Sequence, residues 1–277
     1  MVCIHVQSEK GLRKRNEDRH NIIVNINSND CTKAPVNFFG IYDGHGGKYV
    51  SNFLSEHIHH FFTDINVTYP LDKAYVNSVY SGLQNILYTD HIDKATNCGS
   101  TCLIALEFKY NGKRMINIMN TGDSRGVMCR YKVAIPLTID HKPSFPDERR
   151  RIEKLGGKIR HDGHDWRIDD LSVSRAFGDK SSEKYITNKP DMYQYHITNK
   201  DWFMILGCDG LWDCLDNQEA VNFVLDKCYD SDYNQLSSYN PNKSNGVNIE
   251  NNIARELAEF AIKSGSTDNV TVIVVFF

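Results

Sequence analysis

The sequence predicts an α+β layered domain, with antiparallel sheets and helices packed outside them. Short apolar segments rich in β-branched and aromatic residues come in runs, not in strict alternation with helical segments. Helical periodicity is confined to a few stretches. The chain has 277 residues and is 40% hydrophobic, enough to bury a sizeable core and near the upper end for one domain. A single domain over 1–277 is therefore expected.

Strands are expected at NIIVNI (21–26), VNFFGIY (36–42), TCLIALEF (101–108), MINIMNT (115–121), GVMCRY (126–131), WFMILGC (202–208) and NVTVIVVFF (269–277). Helices are expected at 49–62, 71–95 and 252–265, the last closed by Gly265, and a shorter one after Pro146 at DERRRIEKLGG. The segment 229–252 is polar, rich in Asn and Ser, and lacks apolar periodicity. It reads as a surface insertion with no part in the chemistry.

Net charge is −3 and the cationic residues are scattered, which argues against nucleic acid or a membrane surface as a partner. The run Arg149-Arg150-Arg151 has opposite charges nearby and reads as a solvated helix face. His161 and His164, in HDGHD, read as a polar loop. The eight cysteines form no CxxC pair, so free thiols in a reducing compartment are expected. Cys208 reads as a buried strand cysteine. The amino-terminal stretch has no apolar signal segment, Val2 is no myristoylation site, and VTVIVVFF is far too short to span a bilayer. A cytoplasmic or nuclear location is expected.

The informative pattern is where acids fall relative to strands. Asp43, Asp123 and Asp209 follow expected strands; Glu17, Asp18 and Asp268 precede them. In an antiparallel sheet, the start of one strand neighbours the end of the next. All these acids can therefore gather at one rim. Clustered carboxylates repel or become protonated unless cations sit among them. Oxygen-only donors select hard ions, Mg²⁺ or Mn²⁺. Two such ions about 3.5–4 Å apart are a recurrent device for cleaving phosphoesters. Gly44, Gly46 and Gly47 beside Asp43 permit close backbone approach and a tight turn into the helix near Tyr49. Each Asp-Gly taken alone is an ordinary turn; it is their coincidence that carries the argument.

The segments GLRKRNEDRH (11–20), FFGIYDGHGG (38–47), GSTCLIAL (99–106), NTGDSRGV (120–127), LTIDHKP (137–143), ERRRIEKLGG (148–157), LSVSRAFGD (171–179), ILGCDGLWD (205–213) and GSTDNVTVIVV (265–275) follow one another in order. Together they resemble the metal-dependent protein phosphatases of type 2C, the PPM family. The resemblance implies a four-layer αββα sandwich of two antiparallel sheets flanked by helices. It implies a monomer that hydrolyses phosphoserine and phosphothreonine on phosphoproteins. Asp43 would bridge two metals, Gly44 would lend its carbonyl, Asp209 and Asp268 would hold the first metal, and Glu17 would reach the second through water. Asp18 would orient water at the metals, Arg13 would grip the phosphate, and His45 would be the general acid. Asp123 and Asp213 match positions of a weaker third metal.

One departure stands out. Arg167-Ile168-Asp169-Asp170-Leu171 is a residue shorter than the family's pattern and lacks its turn glycine, which bears on a hairpin and not on a ligand. Two other functions compete. A catalytically silent scaffold on the same fold would be marked by missing acids, and none is missing. A nuclease or small-molecule phosphatase would share the two-metal device, but the nuclease lacks a basic groove signal here.

Overall fold

The computed structural model describes residues 2–28, 32–63, 67–229 and 252–277. Its strands are β1 (Cys3–Glu9), β2 (Arg19–Ile23), β3 (Val36–Tyr42), β4 (Gly44–His45), β5 (Gly99–Ser100), β6 (Cys102–Tyr110), β7 (Lys113–Thr121) and β8 (Arg125–Arg130). They continue with β9 (Val133–Pro136), β10 (Arg160–His161), β11 (Trp166–Arg167), β12 (Phe177–Gly178), β13 (Asp191–Ile197), β14 (Asp201–Gly207) and β15 (Val270–Phe276). The helices are α1 (Tyr49–His57), α2 (Lys73–Thr89), α3 (Ile92–Ala95), α4 (Pro146–Lys154), α5 (Asp209–Trp212), α6 (Asn217–Cys228) and α7 (Ile253–Lys263).

Two five-stranded antiparallel sheets form the middle layers, ordered β1-β15-β14-β8-β9 and β13-β7-β6-β3-β2. Their facing sides share a core that includes Ile4, Phe39, Ile41, Leu103, Met204, Leu206 and Ile273. The outer face of the second sheet buries Phe38, Tyr42, Ile104 and Met119 against Leu54, Ile58 and Leu83 of the first helices. The outer face of the first sheet buries Val127, Phe203 and Val272 against Val221, Val224 and Leu257 of α6 and α7. This is the αββα sandwich. It also explains why VNFFGIY and NVTVIVVFF read as nearly unbroken apolar runs. Side chains alternate across a strand, and here both faces are covered. Phe38 meets helices while Phe39 meets the other sheet.

The expected helix 49–62 is α1 followed by a tighter 3₁₀ turn over Ile58–Phe62. The expected 71–95 helix is capped by the Asp72 side chain, which accepts from Ala74 N and Tyr75 N, and breaks after Thr89 into α2 and α3. The strand expected at 21–26 ends at Ile23, and Asn25 takes a left-handed φ of 54°. Four further elements, β1, β9, β13 and α6, lie outside the expected strands and helices. The polar stretch 229–252 lies outside the described residues except at its ends. Tyr229 stacks on Trp202 with centroids 5.2 Å apart, and Asn252 caps α7. The cysteines among the described residues are free. No helix among those residues is long and apolar enough to cross a membrane.

The arginine run divides by helical geometry. Arg149 pairs with Glu153 and Arg150 with Asp147 on the exposed side of α4. Arg151 turns inward, donating to Glu148 Oε2 at 2.8 Å and to the Ser174 carbonyl at 2.7 Å. Arg175 grips Glu148 Oε1 with Nε at 3.0 Å and Nη2 at 2.6 Å. Burial alone would raise the Glu148 pKa, but Arg175 and Arg151 outweigh it and hold it at about 2. A carboxyl depressed in the fold contributes stability above its ordinary value of 4.5, and that contribution is lost as pH falls toward about 2. Glu148→Gln is expected to cost about 3 kcal/mol in urea unfolding at pH 7. It should also flatten the stability loss between pH 4.5 and 2; an unchanged acid limb would contradict this role.

Candidate metal centre

The register of both sheets delivers the acids to one end of the sandwich. Arg19 pairs with Tyr42 across β2 and β3, so Asp18 lies next to Asp43. Gly207 pairs with Val272 across β14 and β15, so Asp209 lies beside the Asp268–Asn269 turn. Cys102 pairs with Thr121 across β6 and β7, which brings Asp123 to the same end. Asp43 is locked there on both sides: its N–H donates to Thr101 Oγ1 at 3.1 Å, and its carbonyl accepts from Thr101 N at 2.9 Å.

The result is an open cleft of about 750 Å³ lined by Asp43, Asp123, Asp209 and Asp268, together with Glu17, Gly44, Arg13 and His45. Asp43, Asp123 and Asp209 each place an oxygen within 4.8 Å of the others. Asp18 lies behind Asp43, 2% exposed, and forms a second such group with Asp43 and Cys208. Asp18 Oδ2 accepts from Thr271 Oγ1 at 2.6 Å, while Oδ1 is buried without a hydrogen-bond partner. Asp123 Oδ1 is likewise buried without one; Oδ2 meets the Lys142 ammonium at 2.5 Å. Buried anionic oxygens without donors are costly unless a cation meets them. The donor set therefore suits hard divalent ions.

The electrostatics agree. Burial, then the charges of Asp209, Asp18 and Asp123, push the Asp43 carboxyl well above the ordinary carboxylate range. Burial and Asp123 do the same to Asp209, against the opposing pull of Lys142. Burial lifts Asp18 to about 6 even though Thr271 donates to it. Asp213 is raised by burial as well. Burial disfavours the Lys142 ammonium, but Asp123, Asp209 and Asp213 more than offset this and raise its pKa. Bound cations would reverse the carboxylate shifts.

Gly44 is required by crowding: a Cβ there would stand 2.5 Å from the Glu17 carbonyl and 2.7 Å from Ser51 Oγ. Gly46, at φ +67°, makes the turn into α1. Glu17 Oε2 accepts from Gly47 N at 3.1 Å. Arg13 donates to Asp268 Oδ2 at 2.6 Å, so in this state it neutralises an acid of the cleft. Asp213 lies in a smaller neighbouring cleft with Lys142, not in the group formed by Asp43, Asp123 and Asp209. Among the described residues, no group with metal-ligand geometry includes His161 or His164. They belong to the β10–β11 hairpin, where Asp162 accepts from His164 N and Asp165 N. The next turn lacks a glycine, and Asp169 takes the left-handed φ of 51° in its place. Ile168 and Leu171 close it with two backbone bonds of 3.0 Å.

Two residues passed over in the sequence shape the site. His45 Nε2 bonds Asp179 Oδ2 at 2.7 Å, because β4, β5 and β12 pair side by side. Burial works against the His45 imidazolium, but Asp179 outweighs it and raises the ring's pKa. Asp179 itself holds a left-handed backbone, φ 51° and ψ 47°, a conformation kept only where surroundings impose it. Asn269 ties the Arg13 loop to Asp268. Its Nδ2 donates to the carbonyls of Lys10 and Arg15, and its Oδ1 accepts from Glu17 N at 2.8 Å. Both residues stood within recognised segments, but no local pattern marks a loop-tying amide or a histidine partner.

Comparison with known proteins fits this architecture. The family model for protein phosphatase 2C matches residues 4–270. A PP2C-like domain-containing protein of Acanthamoeba polyphaga mimivirus is 46% identical over 58% of this chain and 94% of its own length. The integrin-linked kinase-associated serine/threonine phosphatase 2C of Mus musculus is 32% identical over 98% of this chain and 71% of its own. The crystal structure of serine-threonine phosphatase 2C from Toxoplasma gondii superposes with a TM-score of 0.76 at 22% identity, covering 99% of this chain and 94% of that one. The chain spans about half to two thirds of the length of several plant relatives it matches. With two stacked antiparallel sheets, an acid-lined cleft at their common end and a family match from residue 4 to residue 270, this chain belongs to the protein phosphatase 2C family.

Proposed function

We propose that this chain is a metal-dependent protein phosphatase that hydrolyses phosphoserine and phosphothreonine on proteins. The observation that carries this reading is the meeting of Asp43, Asp123 and Asp209 oxygens within 4.8 Å of one another, in a cleft that also holds Arg13 and His45. Asp43, the Gly44 carbonyl, Asp209, Asp268 and, through water, Glu17 would hold two Mg²⁺ or Mn²⁺ ions. Bound there, the ions supply charge that draws in phosphate and brings the acidity of water toward neutrality.

The protein's own groups do the rest. Asp18, directly behind Asp43, orients the attacking water. Arg13 leaves Asp268 and grips two phosphate oxygens through its planar fork. His45 gives a proton to the departing serine or threonine oxygen. Its Nε2 is engaged by Asp179, so the proton leaves from Nδ1, and Asp179 fixes the ring's orientation. The open cleft suits a side chain protruding from a protein surface. The described sheets and helices form one catalytic domain in this reading, with 229–252 as an insertion that carries no chemistry. The presence of every acid the chemistry needs favours catalysis over a silent scaffold.

Phosphate release from phosphothreonine peptides tests the proposal. Hydrolysis is expected with Mn²⁺ or Mg²⁺ and should stop with chelator. No release under any of these ions would favour the scaffold, and rescue by Zn²⁺ alone would overturn the hard-ion argument. Arg13→Ala is expected to raise KM roughly tenfold, with a smaller fall in kcat; an unchanged KM would remove Arg13 from phosphate binding.

A further inference from the structure

Lys142 occupies an unusual place. It follows His141, whose backbone and ring are pinned on every side. His141 N donates to the Gly122 carbonyl at 3.0 Å, Gly122 N donates to His141 Nδ1 at 3.1 Å, and Ser174 N donates to the His141 carbonyl at 2.9 Å. The Lys142 ammonium is thereby aimed at Asp123 Oδ2, 2.5 Å away, with the lysine side chain 18% exposed and that of Asp123 1%. Asp123 Oδ1 faces no donor. Asp213 and Lys142 line a small neighbouring cleft of about 230 Å³ with Ser144, His164 and Asp165. An ammonium and a divalent ion placed between the same carboxylates exclude each other by charge and by volume.

We propose that Lys142 is a resident cation that stands in for a third divalent ion between Asp123 and Asp213, so that such an ion binds only when the ammonium withdraws into the small cleft. The inference rests on the two-metal reading and adds a control to it. Occupancy of the outermost ion is set by competition with a lysine of the same chain, so it varies with free cation across a range where the inner pair stays filled. The small cleft is roomy enough to receive the ammonium, and Asp165 on its wall offers a new partner.

The test is Mn²⁺ binding, followed by the electron paramagnetic resonance of free ion. The proteins compared are wild type, Lys142→Met, and Lys142→Met combined with Asp213→Asn. Two ions are expected to bind in all three. The third step should move to at least about tenfold lower free Mn²⁺ in Lys142→Met, and should retreat when Asp213 is also changed. Two ions bound with an unmoved third step would overturn the inference alone, whereas no Mn²⁺ bound by any protein would overturn the two-metal reading and this inference together. Should Lys142→Met fail to fold, the wild type decides. The acetylation rate of Lys142 by acetic anhydride, read by mass spectrometry, should rise as Mn²⁺ passes through the third step. A constant rate would mean that the ammonium never leaves Asp123.

Discussion

Asp43→Asn is expected to lower kcat/KM for a phosphothreonine peptide by at least about a thousandfold while leaving the fold intact. The carboxylate stands at the centre of the cluster, with Asp18 behind it and Asp123 and Asp209 in front. An amide of the same shape keeps the backbone bonds to Thr101 but removes the anionic oxygens two cations would share. Its effect on stability should have the opposite sign. Burial and neighbouring acids already disfavour the Asp43 charge, so removing it relieves repulsion, and the metal-free variant should unfold at the same temperature as wild type or higher. A variant retaining more than about a tenth of the rate would refute a bridging role. One that lost activity only through unfolding would leave the role without support.

Removing metal should destabilise the protein more at high pH than at low pH. Asp18 sits at about 6 against an ordinary 3.8, and Asp43 and Asp209 are raised well above that ordinary value. A carboxyl whose pKa is raised in the fold holds its proton more tightly in the native state. Metal-free stability therefore falls as pH rises from about 4 through about 6 and beyond. Cations compete with those protons, so saturating Mn²⁺ gains most where the sites are deprotonated. One ion at a hundred times its Kd contributes about 2.7 kcal/mol, a rise of roughly 5–10 °C in Tm for a chain of this size. The expected result in calorimetry is a clear Mn²⁺-dependent rise at pH 8 that shrinks at pH 5. An equal rise at both values would show that the buried acids are not the groups that bind.

Much of the fold was legible because its strands obey simple constraints. β3, β14 and β15 are covered on both faces, and their apolar runs announce it. The edge strand β13, DMYQYHI, leaves Gln194 and His196 exposed and mixes polar with apolar residues. β1, at the edge of the first sheet, reads CIHVQSE: Cys3 and Ile4 are buried on opposite faces, but the polar Gln7, Ser8 and Glu9 that follow are only half-buried. The start of α6 carried a signal that went unread: Asp216 and Glu219 form a reciprocal capping box. The acid cluster was foreseeable because antiparallel register puts strand starts beside strand ends. Asp179, Asn269 and Lys142 were not, since each acts across a tertiary contact. Asp179 reaches His45 from 134 positions away, and no periodicity encodes that distance.

The placement of β15 between β1 and β14 has a consequence for synthesis. Until residues 270–276 have left the ribosome, β1 has no hydrogen-bonding neighbour in its sheet and Asp268 is not in position. The nascent polypeptide therefore carries Asp43 and Asp209 without Asp268 beside them, and the acidic cleft is completed in one step when the strand inserts.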